Sequence, residues 1–222
     1  MLFKEKLEHI AKWQFTNTSA LKPRRFHAEV FRSVELEEVD YGVLPIENSI
    51  EGSVNQVYDL FLKHCLEICG EVILKITYCL IANPNADLNS IRRVYSHPQA
   101  LAQCSNFLEK LMRKAIPTYN TAGSVKIIKE EDTEDTAAIA SERAAEIYGM
   151  KILAKNISNI PDNFTRFLII SKEDAPQSGS DKTSIIFSIK HVPGTLYEAL
   201  GVFARRRINL TKIESRPAKE KP

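Results

Sequence analysis

Three short stretches hold the side chains that could do chemistry. Glu47-Asn48-Ser49-Ile50-Glu51-Gly52-Ser53 directly follows an apolar run. It offers an amide, two hydroxyls and backbone N–H groups at the start of a helix-like pattern, a setting suited to an anionic ligand. The same residues also make an ordinary capped turn with no ligand. Ser96-His97-Pro98-Gln99 repeats the arrangement after Val94-Tyr95. Gln99 and Gln103, four apart, share one face of the helix that Pro98 starts. Gln103 either reaches back toward a cleft or remains a surface amide. His97 precedes a proline, which biases its backbone toward extended geometry, and it reads equally as a turn-capping imidazole or as a catalytic one. Asn163-Phe164-Thr165-Arg166-Phe167 opens a third apolar run. Neighbours on a strand point to opposite faces, so Thr165 and Arg166 need not share a task. Thr165 offers a hydroxyl; Arg166 either forks onto a carboxylate or makes a structural ion pair.

Other chemistries are excluded by what the chain lacks. There is no glycine-rich phosphate loop, metal-ligand spacing or nucleophile triad signature, so neither a cofactor nor a metal is expected. A formal net charge of +2 over 222 residues, with 26% charged, argues against a nucleic-acid partner or a disordered tail. No stretch approaches the ~18 apolar residues of a membrane span. The start, Met1-Leu2-Phe3-Lys4-Glu5-Lys6, has no apolar signal core. A cytoplasmic protein without membrane contact is expected. Cys65, Cys69, Cys79 and Cys104 make neither a disulfide scaffold nor a zinc site, and read as buried free thiols.

The elements that must position these residues follow from the apolar spacing. Phe3, Leu7, Ile10 and Ala11 predict an opening helix, and Phe26, Val30 and Phe31 a second. Val39 to Ile46 reads as a buried strand closed by Pro45. Ser53 then caps a helix striped by Val54, Val57 and Phe61. Val72 to Ala82 is one strand-like run, and Val94 to Ser96 ends another strand. The helix from Pro98 carries Leu101, Cys104, Leu108 and Leu111 inward. Thr121 to Lys129 is helical, Glu130 to Asp135 an acidic turn, Thr136 to Ala140 a strand, and Ser141 to Tyr148 a helix stopped by Gly149. Lys151 to Ala154 and Phe164 to Ser171 are further strands. Such alternation predicts an α/β fold with mainly parallel sheets. Ligands of such sheets bind beyond the strand ends, here the turns Pro45 to Ser53, Ser96 to Gln99 and Asn120 to Ser124. Glu173 to Asp181 has linker composition. Thr183 to Lys190, Thr195 to Arg206 and Asn209 to Glu214 then predict a β-α-β unit too small to bury both faces of its sheet.

The motif run also resembles a known family. Asp40-Tyr41-Gly42-Val43-Leu44-Pro45-Ile46-Glu47-Asn48-Ser49-Ile50-Glu51-Gly52-Ser53 looks like the signature of the prephenate dehydratases. Tyr95 to Cys104 resembles a second motif of that family, and Asn120-Thr121-Ala122 with Ser124 stands where its members have Ser-Thr-Ala. Asn163 to Phe167 resembles the family's Thr-Arg-Phe motif, and the likeness runs from about Phe26 to the C-terminal end. Pro193-Gly194-Thr195-Leu196-Tyr197-Glu198-Ala199-Leu200 and Glu214-Ser215-Arg216-Pro217 resemble the two phenylalanine-binding motifs of an ACT regulatory domain.

The resemblance implies decarboxylating dehydration of prephenate to phenylpyruvate in L-phenylalanine biosynthesis, under feedback by phenylalanine. It implies Thr165, Asn48 and Gln103 as catalytic residues, and Ser49, Ser96, Thr121 and Arg166 at the substrate. It implies Gly194, Thr195, Leu196, Glu214, Ser215 and Arg216 at the effector. The implied fold is a two-lobed α/β catalytic region like a type II periplasmic binding protein, spanning 1–172. One lobe takes about 1–72 plus 158–172 and the other about 83–153. A linker, 173–181, and a partial ferredoxin-like ACT unit, 182–222, complete it. A homodimer or homotetramer is the implied assembly. Residues 1–22 contain no glycine, where the family has a Gly-Pro-x-Gly-Thr-x-Ser loop, and a whole ACT domain has a further strand, helix and strand. The alternative expectation is a catalytically impaired fragment or relative that only binds a small aromatic or carboxylate ligand.

Overall fold

The computed structural model describes residues 20–217. The opening helix predicted at Phe3 to Ala11 lies outside the described residues. In chain order the elements are α1 (His27–Glu35), β1 (Gly42–Asn48), β2 (Gly52–Ser53), α2 (Asn55–Phe61), β3 (Glu67–Lys75) and β4 (Cys79–Ala82). Then come β5 (Arg93–Ser96), α3 (Pro98–Gln103), α4 (Ser105–Leu111), β6 (Lys114–Pro117), α5 (Thr121–Glu131) and β7 (Thr136–Ala140). Last are α6 (Glu142–Tyr148), β8 (Lys151–Ala154), β9 (Phe164–Ser171) and α7 (Thr195–Arg205).

The strands form two sheets, ordered β2-β1-β9-β3 and β6-β5-β7-β4-β8. The first is antiparallel throughout. The second is mixed: β5 runs parallel to β6 and β7, while β4 runs antiparallel to β7 and β8. The expectation of mainly parallel sheets is therefore corrected. Alternation of strands and helices does not specify strand direction once the chain leaves a sheet and returns to it.

That departure happens inside the Val72 to Ala82 run. It is two strands, β3 in the first sheet and β4 in the second, and the chain returns between β8 and β9. The two crossings lie side by side: Ile76 N donates to Asn163 O at 2.7 Å, and Ile157 N to Tyr78 O at 3.1 Å.

Each sheet is held by apolar residues alternating across it. On the second sheet Leu80, Ala82, Ala137 and Ile139 pack with Ala100, Cys104 and Leu108. Cys79, Ile81, Ala138 and Ala140 face the other way, against Val125, Ile128 and Ala144. Strands buried on both faces read as near-continuous apolar runs, which is why Thr136–Ala140, apolar at four of its five positions, is legible as a strand. On the first sheet Leu44, Ile46, Leu168 and Ile170 pack under Phe31 and Val34 of α1 and Val57 and Leu60 of α2. Phe31 is fully buried and meets the Phe61 ring edge-on at 5.0 Å. Cutting a buried phenylalanine back to alanine costs about 3–5 kcal/mol.

Several local expectations need correction. Pro45 does not close β1, which runs three residues further. The β1–β9 register shifts between Pro45 and Glu47, a bulge of the kind that lets a strand tolerate a proline. Ser53 belongs to β2, and Val54 caps α2 without a side-chain bond. The helix from Pro98 breaks at Cys104 into α3 and α4. Helix α5 extends through Glu131 and closes on Asp132 in the left-handed region, φ 47°. Of the four thiols, Cys79 and Cys104 are buried, Cys69 is partly so and Cys65 is exposed; all are free.

The C-terminal stretch departs furthest from expectation. Helix α7 forms, but Thr183 to Lys190 and Asn209 to Glu214 form no strands. A strand needs a partner for its N–H and C=O groups, and among the described residues neither stretch has a ladder. Ile185, Ile186, Phe187 and Ile189 stay exposed.

Candidate active site

The bulge in β1 positions the site. Before it Pro45 lies opposite Phe167; after it Glu47 lies opposite Arg166 and Asn48 opposite Thr165. One extra residue, Ile46, thus brings Asn48 and Thr165 together on one face and Glu47 and Arg166 on the other. Asn48 Nδ2 lies 2.9 Å from Thr165 Oγ1 and 2.7 Å from Asn163 Oδ1. Its Oδ1 accepts the backbone N–H groups of Ile50 and Glu51, both at 3.0 Å. The turn after β1 therefore holds the amide by its oxygen and aims its N–H groups at Thr165 and Asn163.

The second sheet contributes Gln103 from the end of α3. Asn163 Nδ2 donates to Gln103 Oε1 at 3.1 Å, and Gln103 Nε2 donates to Glu51 Oε1 at 3.1 Å. The backbone holds this junction too, since Asn159 N donates to Gln103 O at 2.7 Å. The result is a continuous series, Thr165–Asn48–Asn163–Gln103–Glu51, spanning both sheets where the chain crosses between them. Thr165 is 7% exposed and Asn163 1%. Thr165 Oγ1 receives a hydrogen bond from Asn48, and among the described residues its own hydrogen has no acceptor. Such a hydroxyl is poised to donate to a ligand.

Tyr78, on the first crossing, lines the same region. Burial, with smaller contributions from Cys104 and Glu51, pushes its phenol up to about 12. Burial also pushes the Cys104 thiol, next to Gln103, up to about 12. Both groups stay neutral at ordinary pH. Among the described residues no group of histidine, cysteine, aspartate and glutamate could hold a metal ion.

The remaining expected site residues are placed as follows. Ser49 is exposed at the turn; its Oγ accepts from Phe164 N at 2.9 Å and lies 3.3 Å from Asp162 O. Ser96 is fully buried and its hydroxyl donates to Ile139 O at 2.7 Å. That hydroxyl is engaged with the second sheet. Thr121 begins α5, behind the cap Asn120, and among the described residues no hydrogen bond joins it to the amide series. Arg166 lies 3.2 Å from Glu47 and 3.4 Å from Glu71. Of its two open readings, the structural ion pair is the one the geometry supports. His97 accepts from Gln99 N at 3.3 Å, the turn-capping role.

The expected effector residues divide into two groups. Gly194 caps α7 at φ 89°, Thr195 Oγ1 bonds the carbonyls of Lys190 and Val192, and Leu196 is exposed. Glu214 instead bonds Ser53 Oγ at 2.8 Å, and Arg216 pairs with Asp59 of α2 at 3.1 Å. Ser215 is exposed between them. Among the described residues no hydrogen bond or ion pair joins the two groups. Asn163 was missed as a site residue altogether. The one signal was an asparagine two positions before Thr165, at the mouth of an apolar strand.

Two α/β sheets are joined at the double crossing by a series of amides and one hydroxyl that runs from Thr165 to Gln103. Comparison with known proteins makes the class specific. The chain belongs to the prephenate dehydratase family, whose pattern matches residues 7–175. It is 48% identical over 219 residues to "Arogenate dehydratase/prephenate dehydratase 2, chloroplastic" of Arabidopsis thaliana, covering 97% of this chain and 57% of the relative. It is 46% identical over 221 residues to the bifunctional chorismate mutase/prephenate dehydratase of Aquifex aeolicus, covering 95% of this chain and 60% of the relative. The chain thus spans somewhat over half the length of these relatives. Among solved structures, prephenate dehydratase of Arthrobacter aurescens in complex with L-Phe shares 34% identity at a TM-score of 0.77, covering 88% of this chain and 67% of that one.

Proposed function

We propose that this chain catalyses the decarboxylating dehydration of prephenate to phenylpyruvate. The supporting observation is the Thr165 hydroxyl, buried, oriented by Asn48 and left with its hydrogen to give. In this reaction the ring carbon–oxygen bond breaks, and the departing hydroxide takes one proton and leaves as water. The ring carboxylate leaves as carbon dioxide, and the electrons of its carbon–carbon bond enter the ring, which becomes aromatic. The chemical need is therefore a donor at the departing oxygen. A threonine hydroxyl is a weak acid. Thr165 serves as a positioned hydrogen-bond donor to the departing oxygen, with Asn48 fixing its direction, and the proton that completes the water comes from solvent. Gln103 Nε2, which meets Glu51 without a ligand, is the second donor, to the leaving hydroxyl or a carboxylate. Ser49, at the turn after β1, and Thr121, at the start of α5, are candidate substrate contacts.

The two lobes of this reading are residues up to about 72 with 158–172, and 83–153, with the cleft at the crossings. Phenylalanine as effector, at Gly194 to Leu196 and Glu214 to Arg216, and a dimer or tetramer belong to the same proposal. The effector is supported by the L-Phe bound to the Arthrobacter relative. A relative named for both arogenate and prephenate makes the substrate's side chain, amino or keto, the point to test. Incubation with each acid, following phenylalanine from arogenate and phenylpyruvate from prephenate, decides it. The proposal expects prephenate to be consumed above its spontaneous rate. Turnover of arogenate alone would replace the substrate and keep the chemistry.

A further inference from the structure

Asparagine and glutamine side chains have two ends, and a series of them works only if every member is turned the same way. Here the sense is imposed at one end. Asn48 Oδ1 accepts from two backbone N–H groups, Ile50 and Glu51, so Asn48 must present Nδ2 to Asn163. Asn163 must then answer with Oδ1, which leaves its Nδ2 for Gln103. Gln103 in turn presents Oε1 inward and Nε2 outward, to Glu51.

We infer that Asn163 is a positioning residue of the proposed dehydratase site, transmitting the orientation set by the β1 turn to Gln103 so that Gln103 offers a donor to the substrate. The inference rests on reading this cluster as the dehydratase's donor set. Three features mark Asn163 out. It is 1% exposed and uses both ends of its amide. Its backbone carbonyl also accepts Ile76 N at 2.7 Å, tying it to the other crossing. It joins a residue of β1 to a residue of α3, and so links the two sheets at the point where a substrate would lie. The charged groups on the elements around it are Glu51, on the turn after β1, Asp162, which pairs with Lys75 of β3 at 3.1 Å, and Glu47 and Arg166, which pair with each other at 3.2 Å; Tyr78 and Cys104, both raised to about 12, stay neutral through the pH range of the test.

The test is Asn163→Asp beside Asn163→Ala in the full chain, with the wild type assayed first on prephenate. The N163D change keeps an oxygen facing Asn48 but sets a carboxylate against Gln103 Oε1. Gln103 must turn over, and its donor leaves the cleft. A buried carboxyl without a cation titrates above its usual range, and once protonated it donates to Gln103 again. The expected result is a fall in kcat of about 100-fold, the scale of a misplaced group, with KM within about threefold. The kcat of N163D, relative to wild type, recovers as pH falls through the new carboxyl's pKa. N163A shows the fall without the recovery. A merely structural asparagine would give two variants equally impaired at every pH, which overturns the inference; so would wild-type kcat in both. A wild type that does not consume prephenate contradicts the proposed reaction instead. NMR then decides the role of Asn163 independently: nuclear Overhauser contacts should place the Gln103 Nε2 hydrogens on the Glu51 side in the wild type. In N163D at neutral pH they should lie toward the introduced carboxylate. Gln103 in the same orientation in both proteins would overturn the inference, as would a wild type with the reverse sense.

Discussion

At the scale of single residues, the site depends on a hydroxyl and amides, not on a strong acid. Thr165 has the one hydroxyl in the series, and Asn48 occupies its acceptor side. Thr165→Ala should therefore lower kcat by about 100-fold or more, the usual contribution of a positioned proton donor, while KM changes little. Steady-state kinetics on prephenate check this, and an equal loss in binding and rate would remove Thr165 from the reacting centre. Residue type placed Thr165, Asn48 and Gln103 among the candidates, and the motif resemblance singled them out. Residue type and spacing left Gln103 open between a cleft and a surface position. Asn163 was legible only as a member of the third stretch and not as a site residue, because its importance lies in partners 115 and 60 positions away. Ser96 shows the converse. Its neighbours in sequence match a motif, yet its hydroxyl is spent on the backbone of β7.

At the scale of elements, the first sheet and its helices are packed to contact. A methyl group on Gly42 would meet Ile170 and Val30 at 2.8 Å and Val34 at 3.0 Å. Gly42→Ala should cost about 1–3 kcal/mol, the range for overpacking, read from urea unfolding. Gly123 offers a control. A methyl group there meets only the Tyr119 ring among its nearest atoms, and that side chain is 64% exposed and free to swing out. Gly123→Ala should be near neutral or slightly stabilising, because alanine favours the helix by up to about 1 kcal/mol. On the second sheet, a hydrogen bond from Arg93, reinforced by one from Thr133, holds the Asp135 carboxyl below its ordinary 3.8. A carboxyl lowered on folding stabilises the fold above its unfolded pKa, and the benefit is lost as pH falls through the folded value. Arg93→Gln should move Asp135 up toward 3.8 in a carbon-13 titration and flatten the acid limb of the stability curve. Buried strands such as β7 and β9 were legible because each carries an unbroken apolar run, Ala137–Ala140 and Phe167–Ile170. Strand β6, Lys114–Pro117, was missed because it is an edge strand with only Ile116 half-buried. Strand direction and the β1 bulge depend on partners distant in sequence, so no local pattern carries them.

At the scale of the whole molecule, the C-terminal stretch is tied to the first sheet by charge. Lys212 meets Glu47 at 2.9 Å, Glu214 bonds Ser53, and Arg216 pairs with Asp59. Burial pulls the Lys212 ammonium down, but the Glu47 carboxylate leads the influences that outweigh it, and its pKa is raised. Glu47 also holds Arg166, and both stand beside the donor series at Asn48 and Thr165. Replacing Lys212 and Arg216 together by alanine should release residues 212–217, making them the first site of limited proteolysis while the sheets stay protected. Unchanged cleavage would show that these pairs do not hold the segment. The central claim is that the chain converts prephenate at the junction of its two sheets. The direct measurement follows phenylpyruvate and carbon dioxide together during incubation with prephenate. The account expects both above the spontaneous rate, in equal amounts, with the excess abolished in Thr165→Ala. Prephenate disappearing no faster than in buffer, with the chain folded and present in excess, would contradict it.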